Sequence, residues 1–173
     1  MSQGTCLVYG FFALASGRRV AVSRLNSSNP QADSSKSPSR WFCFYTTSLQ
    51  CANHDAIDAQ LRVYSPRDDI PLQDNTIAFV LAKLHVPSNG TALLDALTVH
   101  PVPGDPQDEA YEGNVPDMPY PFVFGLGTTQ GAHQTLADSA SRGFLVRTSE
   151  RVRDEQMASE LLYVIRSKMC PHF

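Results

Sequence analysis

The pair Asn89-Gly90 constrains this chain more than any other local feature, because Asn and Gly readily adopt the two positive φ angles of a type I′ turn. Two apolar segments, residues 76–86 and 92–99, flank the tetrapeptide that ends with this pair. Leu and Ala would allow either arm alone to form a helix, but a helix does not account for the Asn-Gly pair between them. The sequence therefore predicts a β-hairpin with a type I′ turn.

Composition extends this hairpin to a mainly-β fold. The chain has 173 residues, of which 42% are hydrophobic and 18% are charged, so it can bury a core of its own. Its 12 prolines favour strands joined by rigid turns over long helices. Further short β-favouring runs occur at residues 41–45, 60–64, 122–127 and 143–147. We predict one domain over residues 1–173, folded as a small closed or partly open barrel of five to six strands.

The two ends of the chain are less clearly patterned. The apolar run 6–15 has a small-residue pattern like that of a signal peptide, but no Lys or Arg precedes it. It continues through Ser16-Gly17 into a second apolar stretch at 20–22, which predicts a hairpin with a buried first strand. Residues 155–168 fit a strand as well as a short C-terminal helix, since their apolar residues satisfy both periods.

Charge and proline mark two loops. Residues 26–40 are rich in Ser, Pro and Asn, which predicts a mobile loop between two strands. Residues 101–121 combine six prolines with acidic side chains, which predicts an acidic Pro-rich loop. The stretch 84–141 contains seven acidic residues and no Lys or Arg. The rest of the chain therefore has 14 basic and 10 acidic residues, a net charge of +4. A polyanion should therefore bind on the face built by the earlier strands.

No pattern for catalysis or for a cofactor is found. The chain lacks a nucleophile elbow, and in the Gly-rich segment 125–131 the third glycine comes one residue too late for a dinucleotide loop. Only His54 has carboxylates nearby in sequence, so we predict no metal site.

The four cysteines show no zinc or disulfide spacing and are predicted to be reduced core thiols. No apolar segment approaches the roughly 20 residues needed to cross a bilayer, so no membrane is expected, and the predicted location is nucleus or cytoplasm.

Four segments, 74–83, 100–106, 115–122 and 147–154, resemble a pattern in uncharacterised proteins of mushroom-forming fungi, and residues 8–22 match more loosely. In those proteins the region is regarded as resembling an oligonucleotide/oligosaccharide-binding (OB) barrel. The resemblance implies an OB-like barrel that acts as a binding module. It supplies no catalytic residues and no cofactor, and barrels of this shape bind nucleic acids, sugars or proteins.

Aromatic and basic residues share the early strands. Flat rings can stack on bases and cations can follow phosphates, which predicts binding of single-stranded DNA or RNA. The candidate residues are Phe11, Arg18, Arg19, Trp41, Phe44, Arg62 and Tyr64. If these rings instead fill the barrel, the alternative is a protein–protein interaction module that uses the acidic Pro-rich loop or an exposed strand edge. Whether the side chains of Trp41, Phe44 and Arg62 point outward on one face of the barrel should distinguish the two functions. The sequence does not indicate an oligomeric state.

Overall fold

The structure is a computed structural model, and it describes residues 4–22, 39–51, 55–66, 69–118, 120–137 and 141–166. These residues form strands and one short 3₁₀ helix, Tyr111–Asn114, and none of them is in an α-helix. The strands are β1 (Thr5–Val22), β2 (Arg40–Gln50), β3 (Ala56–Tyr64), β4 (Thr76–His85), β5 (Ala92–Pro101), β6 (Phe122–Leu126), β7 (Thr128–Thr129), β8 (Gln134–Thr135), β9 (Ser141–Val152) and β10 (Glu155–Arg166). The predicted mainly-β class is confirmed.

Five strands form a ring. The order around it is β1, β2, β3, β5, β4 and back to β1, with β3 and β5 parallel and the other pairs antiparallel. β6 pairs with β1 outside this ring. The ring and β6 agree with the predicted small, partly open barrel. Side chains of alternate residues point into the ring, as strand geometry requires. The most deeply buried of them are Cys6, Val8, Phe12, Leu14, Leu61, Val80, Leu84 and Leu94.

A bulge in β1 allows the ring to close. Ala15 lies opposite Thr46 but Arg18 lies opposite Phe44, so β1 has one more residue than β2 across this step. A Cβ atom at Gly17 would lie 2.8 Å from the Tyr45 ring, which explains the glycine. The predicted hairpin at Ser16-Gly17 is wrong, because the extra residue bends the strand without reversing it. β1 instead exchanges partners there, from β4 to β2, while its predicted burial is confirmed.

The hairpin predicted around Asn89-Gly90 is confirmed, but the predicted turn type is wrong. β4 and β5 pair antiparallel, and their innermost pair is His85 with Leu93. The connection is therefore longer than the two residues of a type I′ turn. Gly90 has a φ of 103°, whereas Asn89 is not among the residues with positive φ. In this longer loop, one glycine supplies the left-handed conformation.

The two-residue turn with two positive φ angles joins β9 to β10. Val152 pairs with Glu155, and the residues between them, Arg153 and Asp154, have φ angles of 56° and 69°. These are the signs that define a type I′ turn. Helix and strand were both open for residues 155–168, and residues 155–166 form a strand, because they pair with β9 along its whole length. Each β9 partner offers backbone hydrogen bonds and cross-strand contacts, which outweigh helical spacing.

The structure describes the second of the two predicted loops but little of the first. Most of the predicted mobile loop 26–40 lies outside the described residues, which resume at residue 39. The acidic loop 101–121 carries the 3₁₀ helix and is anchored by Tyr111. The buried Tyr111 hydroxyl donates to the Val102 carbonyl at 3.1 Å and accepts from the Ile77 amide at 3.2 Å. The acidic loop is thus held against β4.

A substitution at Leu61 tests whether the interior of the ring is the core of the fold. Leu61→Ala should reduce the free energy of unfolding by about 2–5 kcal/mol, because the site is fully buried and would leave a cavity. The matched control is Leu97→Ala on β5, where the side chain is 51% exposed and the loss should stay below about 1 kcal/mol. Chemical denaturation measures both, and equal losses would contradict this assignment of the core.

Candidate functional site

The structure separates the seven predicted site residues. Arg18 lies opposite Phe44, which lies opposite Arg62. Because paired residues point to the same side of a sheet, these three share the outer face of the ring with Tyr64. We call the surface formed by Arg18, Arg40, Phe42, Phe44, Arg62 and Tyr64 the β2–β3 face. The three remaining residues, Phe11, Arg19 and Trp41, lie elsewhere.

Arg62 is buried in ion pairs on the β2–β3 face. Its Nη2 and Nε donate to the two carboxylate oxygens of Asp95 at 2.6 and 2.9 Å, and its Nη1 donates to Asp154 Oδ2 at 2.9 Å. The guanidinium carbon also lies 4.5 Å from the centre of the Phe42 ring. Burial lowers the pKa of Arg62, but the hydrogen bonds and charges of Asp95 and Asp154 outweigh it, so the pKa lies above its ordinary value. Arg62 is therefore an internal contact and not an exposed phosphate ligand.

The turn between β9 and β10 contacts two residues of the β2–β3 face, Phe44 and Arg62. Arg153 places its guanidinium carbon 5.0 Å from the centre of the Phe44 ring and donates to the Gln60 carbonyl at 2.9 Å. The Arg153 amide donates to Asp95 Oδ2 at 2.7 Å. Burial lowers the pKa of Arg153 to about 10, with Asp95 opposing and Arg62 adding to that shift. The ring of Phe44 therefore stacks on a cation of the same chain.

Trp41 and Arg19 form a separate contact on the opposite side of the β1–β2 ladder. Arg19 and Cys43 are cross-strand partners, and Trp41 shares the side of the buried Cys43 by strand alternation. The Arg19 guanidinium carbon lies 4.7 Å from the centre of the Trp41 ring. Arg19 also donates to Ser65 Oγ at 3.0 Å and to the Pro66 carbonyl at 2.6 Å. Trp41 therefore does not share a face with Phe44 and Arg62.

Phe11 belongs to an aromatic cluster on the outer side of β1 and β4. Its ring meets the ring of Phe79 edge-on at 5.5 Å, and Phe79 also contacts Tyr9. Tyr9 stacks on Phe122 of β6 with ring centres 5.4 Å apart. Such ring pairs stabilise the packing of neighbouring strands. Phe11 therefore helps to connect β1 with β4, away from the β2–β3 face.

Three residues of the β2–β3 face are exposed, and one of them is aromatic. Tyr64 is 62% exposed, and its ring is supported edge-on by Phe42 with ring centres 6.0 Å apart. Arg18 and Arg40 are exposed as well. A shallow cavity of about 220 Å³ lies beside Tyr64, between the ring and the turn, and also has Lys83 and Arg151 in its walls. One aromatic side chain with nearby cations is thus accessible.

A second exposed surface follows directly after the acidic loop. All residues of β6 are exposed, and Phe122, Val123, Phe124 and Leu126 are each at least half exposed. β6 is the terminal strand of the six-stranded sheet, and within the described residues it pairs with β1 alone. Large exposed apolar groups on an unpaired strand edge are typical of an interaction surface.

Titratable groups elsewhere act as structural contacts. Glu150 accepts hydrogen bonds from Thr5 Oγ1 at 2.6 Å and from Lys83 Nζ at 2.9 Å, which ties β9 to β1 and β4. Burial raises the pKa of Glu150, but these hydrogen bonds outweigh it and hold the pKa below its ordinary value. Among the described residues, no group of three or more His, Cys, Asp or Glu side chains is arranged to hold a metal ion. His54 and Cys170 lie outside them.

The remaining cysteines are free thiols at different depths. Cys6 and Cys43 are buried in the ring and Cys51 is half-buried, so two of the four predicted core thiols are in the core. Burial raises the pKa of Cys6. A raised pKa keeps a thiol protonated and unreactive.

The chain matches no protein-family model, and a comparison with curated proteins gives no significant match. No helix within the described ranges has the length and apolar character to span a membrane. The resemblance to proteins of mushroom-forming fungi and the location in nucleus or cytoplasm stay predictions.

Sequence reasoning missed the partners that occupy the β2–β3 face. Asp95, Arg153 and Asp154 converge on Arg62, although Asp154 lies 92 positions further along the chain. The type I′ turn that brings them together contains neither Asn nor Gly, which are the usual signals for it. An acidic residue within an otherwise apolar strand, such as Asp95 in β5, was the one signal of a buried cation nearby.

Arg62 tests whether this cluster is structural. Arg62→Met should reduce the free energy of unfolding by about 3 kcal/mol, because it removes the main partner of a buried carboxylate, Asp95. Arg40→Met, at an exposed position of the same face, should cost less than about 1 kcal/mol. Combining Arg62→Met with Asp95→Asn should cost less than the sum of the two single changes, as measured by urea denaturation. Additive effects would show that the two residues are not coupled.

Proposed function

We propose that this protein is a non-catalytic protein-interaction module that binds an extended segment of a partner at β6. The observation that carries this proposal is the direct succession of the acidic loop and β6. The loop ends at residue 121, and β6 begins at Phe122 with exposed apolar side chains along its length. Acidic charge and an apolar strand edge therefore adjoin each other in the chain.

The chemistry of this surface defines the partner segment. The free edge of β6 offers backbone hydrogen bonds to an added strand, and its side chains offer apolar contacts on both faces. Glu109, Glu112 and Asp117 are exposed in the loop, whereas Asp105 and Asp108 accept hydrogen bonds from backbone amides within it. A complementary segment alternates apolar residues and carries Lys or Arg at one end.

A photocrosslinking residue tests the surface. We expect p-benzoylphenylalanine in place of Phe124 to give one adduct of defined mass in extract of the native source, because position 124 is exposed on β6. The same residue in place of Leu97, exposed on β5, should give none. Mass spectrometry identifies the adduct and locates the crosslinked segment.

Charge reversal supplies the control for the loop. The double change Glu109→Lys and Glu112→Lys should lower the yield of the adduct. Raising the salt concentration should lower the yield too, because salt screens exposed charges. These changes leave Tyr111 in place, so the loop keeps its anchor. Absence of an adduct at position 124, or an adduct insensitive to both changes, would contradict the proposal.

Single-stranded nucleic acid is the second candidate ligand, favoured by the accessible Tyr64 and by the exposed Arg18 and Arg40 on the same face. In OB barrels the face of strands 2 and 3 binds oligonucleotides. The five-stranded ring supports a comparison with such barrels, in which the β2–β3 face would correspond to that binding face. Stacking on one ring and a few cations is sufficient for weak binding.

Filter binding of a fluorescent deoxythymidine oligonucleotide tests this second candidate. Tyr64→Ala should weaken retention about tenfold at low salt, since stacking on an aromatic ring is worth about 1–3 kcal/mol per base. Tyr120→Ala serves as the matched control, because Tyr120 is exposed next to β6. Retention should also fall as salt rises. No retention of any single-stranded oligonucleotide at low salt would exclude this candidate.

A further inference from the structure

The far half of the β9–β10 hairpin carries an exposed apolar strand, β10, whose outer side has no neighbouring strand among the described residues. Within the described residues β10 pairs with β9 alone. Near the turn, β10 packs on the ring, where Ser159 Oγ accepts from the Val86 amide at 3.1 Å and contacts His85 Nδ1 at 3.0 Å. Beyond Ser159, the four residues Leu162 to Ile165 are 41–64% exposed. The free edge therefore extends from Glu160 to Arg166.

The direction of the backbone groups along this edge follows from the hairpin. In a two-residue hairpin the pair next to the turn, here Val152 with Glu155, exchanges hydrogen bonds, and pairs then alternate. When the alternation is counted from this pair, Leu145 and Leu162 do not hydrogen-bond to each other, and neither do Ser141 and Arg166. The Leu145 and Ser141 carbonyls indeed accept from Gln130 and Leu136, outside the hairpin, at 2.7 and 3.0 Å.

The same alternation applies on the other strand. The backbone N–H and C=O groups of residues 160, 162, 164 and 166 therefore point to the free edge of β10. An added antiparallel strand must place its own outward groups opposite these four. For a second copy of β10, this condition permits only registers in which even-numbered residues face even-numbered residues, and in each of these one residue lies opposite its own equivalent.

One such register is self-complementary. The strand reads Glu160-Leu-Leu-Tyr-Val-Ile-Arg166, which is acidic at one end, basic at the other and apolar between. When Tyr163 lies opposite Tyr163 of a second copy, Leu162 faces Val164 and Leu161 faces Ile165. Glu160 then faces Arg166 at both ends, so the two charged pairs are of opposite sign. A shift by one position toward the turn would place Glu160 opposite Val164 and would draw in Ser159, which is already occupied by the ring.

We propose that two copies of this chain associate through antiparallel pairing of their β10 strands, centred on Tyr163. The pairing is isologous, as a two-fold axis requires. Four pairs exchange two hydrogen bonds each, about eight in all. The two hairpins join into one sheet in the order β9, β10, β10, β9. This surface is separate from β6 and from the β2–β3 face, so the inference does not depend on the proposed function.

Charge exchange at the ends of the strand tests this register directly. Sedimentation equilibrium of the full chain should show a dimer of about 38 kDa, twice the 19.0 kDa of one chain. Glu160→Arg alone and Arg166→Glu alone should each raise the dissociation constant about threefold to tenfold, because like charges then face each other. The double variant E160R/R166E should restore the original value, since the charged pairs are re-formed with the partners reversed.

A lysine at the centre of the edge gives a larger effect. Val164→Lys should convert the protein to a monomer, because a charge on an edge strand opposes the addition of another strand. The matched control is Leu97→Lys on β5, which should leave the dimer intact, as should Phe124→Lys on β6. Circular dichroism shows whether each variant is folded.

Three results would overturn the proposal. The first is a monomer for the unmodified chain up to about 100 μM, because the pairing would then be too weak to matter. The second is a dimer that persists in folded Val164→Lys. The third is a double charge exchange that fails to restore the affinity lost in the single variants. The Val164→Lys result carries no weight if that variant does not fold, and the charge exchange then decides alone.

Discussion

The contact between the Arg153-Asp154 turn and the pair Arg62–Asp95 fixes how the hairpin lies on the ring. Arg62 and Asp95 are both buried, so each requires a partner of opposite charge, and the turn contributes one more of each sign. Both turn residues adopt positive φ angles, which Asp154 tolerates but which a residue such as Arg153 seldom adopts. The ion pairs and the stacking of Arg153 on Phe44 offset that strain. A buried cation on the barrel thus determines where the second sheet is attached.

This attachment divides the surface of the molecule. Near the turn, Glu150 and Ser159 bind the hairpin to β1, β4 and the following loop. The turn itself contacts Phe44 and Arg62 of the β2–β3 face. Far from the turn, β10 is exposed along its outer edge. β6, paired on one side to β1, is exposed too. Half of the 16 large hydrophobic side chains that are exposed among the described residues lie on these two strands, which is why interaction with other protein strands has more structural support than base stacking.

Local patterns predicted the elements of the ring well. Alternation and β-favouring residues located the strands around Trp41, Leu61 and Phe122, and the two apolar arms around Asn89-Gly90 pair as a hairpin. The turn chemistry was less reliable, since the Asn-Gly pair lies in a longer loop while Arg153-Asp154 forms the two-residue turn. For the site, the sequence identified the right residue types on the right strands. It could not show that Phe44 and Arg62 have partners, because these come from a hairpin about 90 or more positions away.

The sequence by itself determined that this chain is mainly β, that it buries its first strand and that it joins β4 to β5 as a hairpin. Those properties depend on the order of apolar, polar and turn-forming residues over short distances. Only the tertiary structure decided three further points: the partner exchange of β1 at its bulge, the strand conformation of residues 155–166, and the division of the predicted site between two faces. Each depends on contacts between segments far apart in the chain. Gly17 meets Tyr45, β10 pairs with β9, and Arg62 meets Asp154, and no local pattern encodes which distant residue will be present.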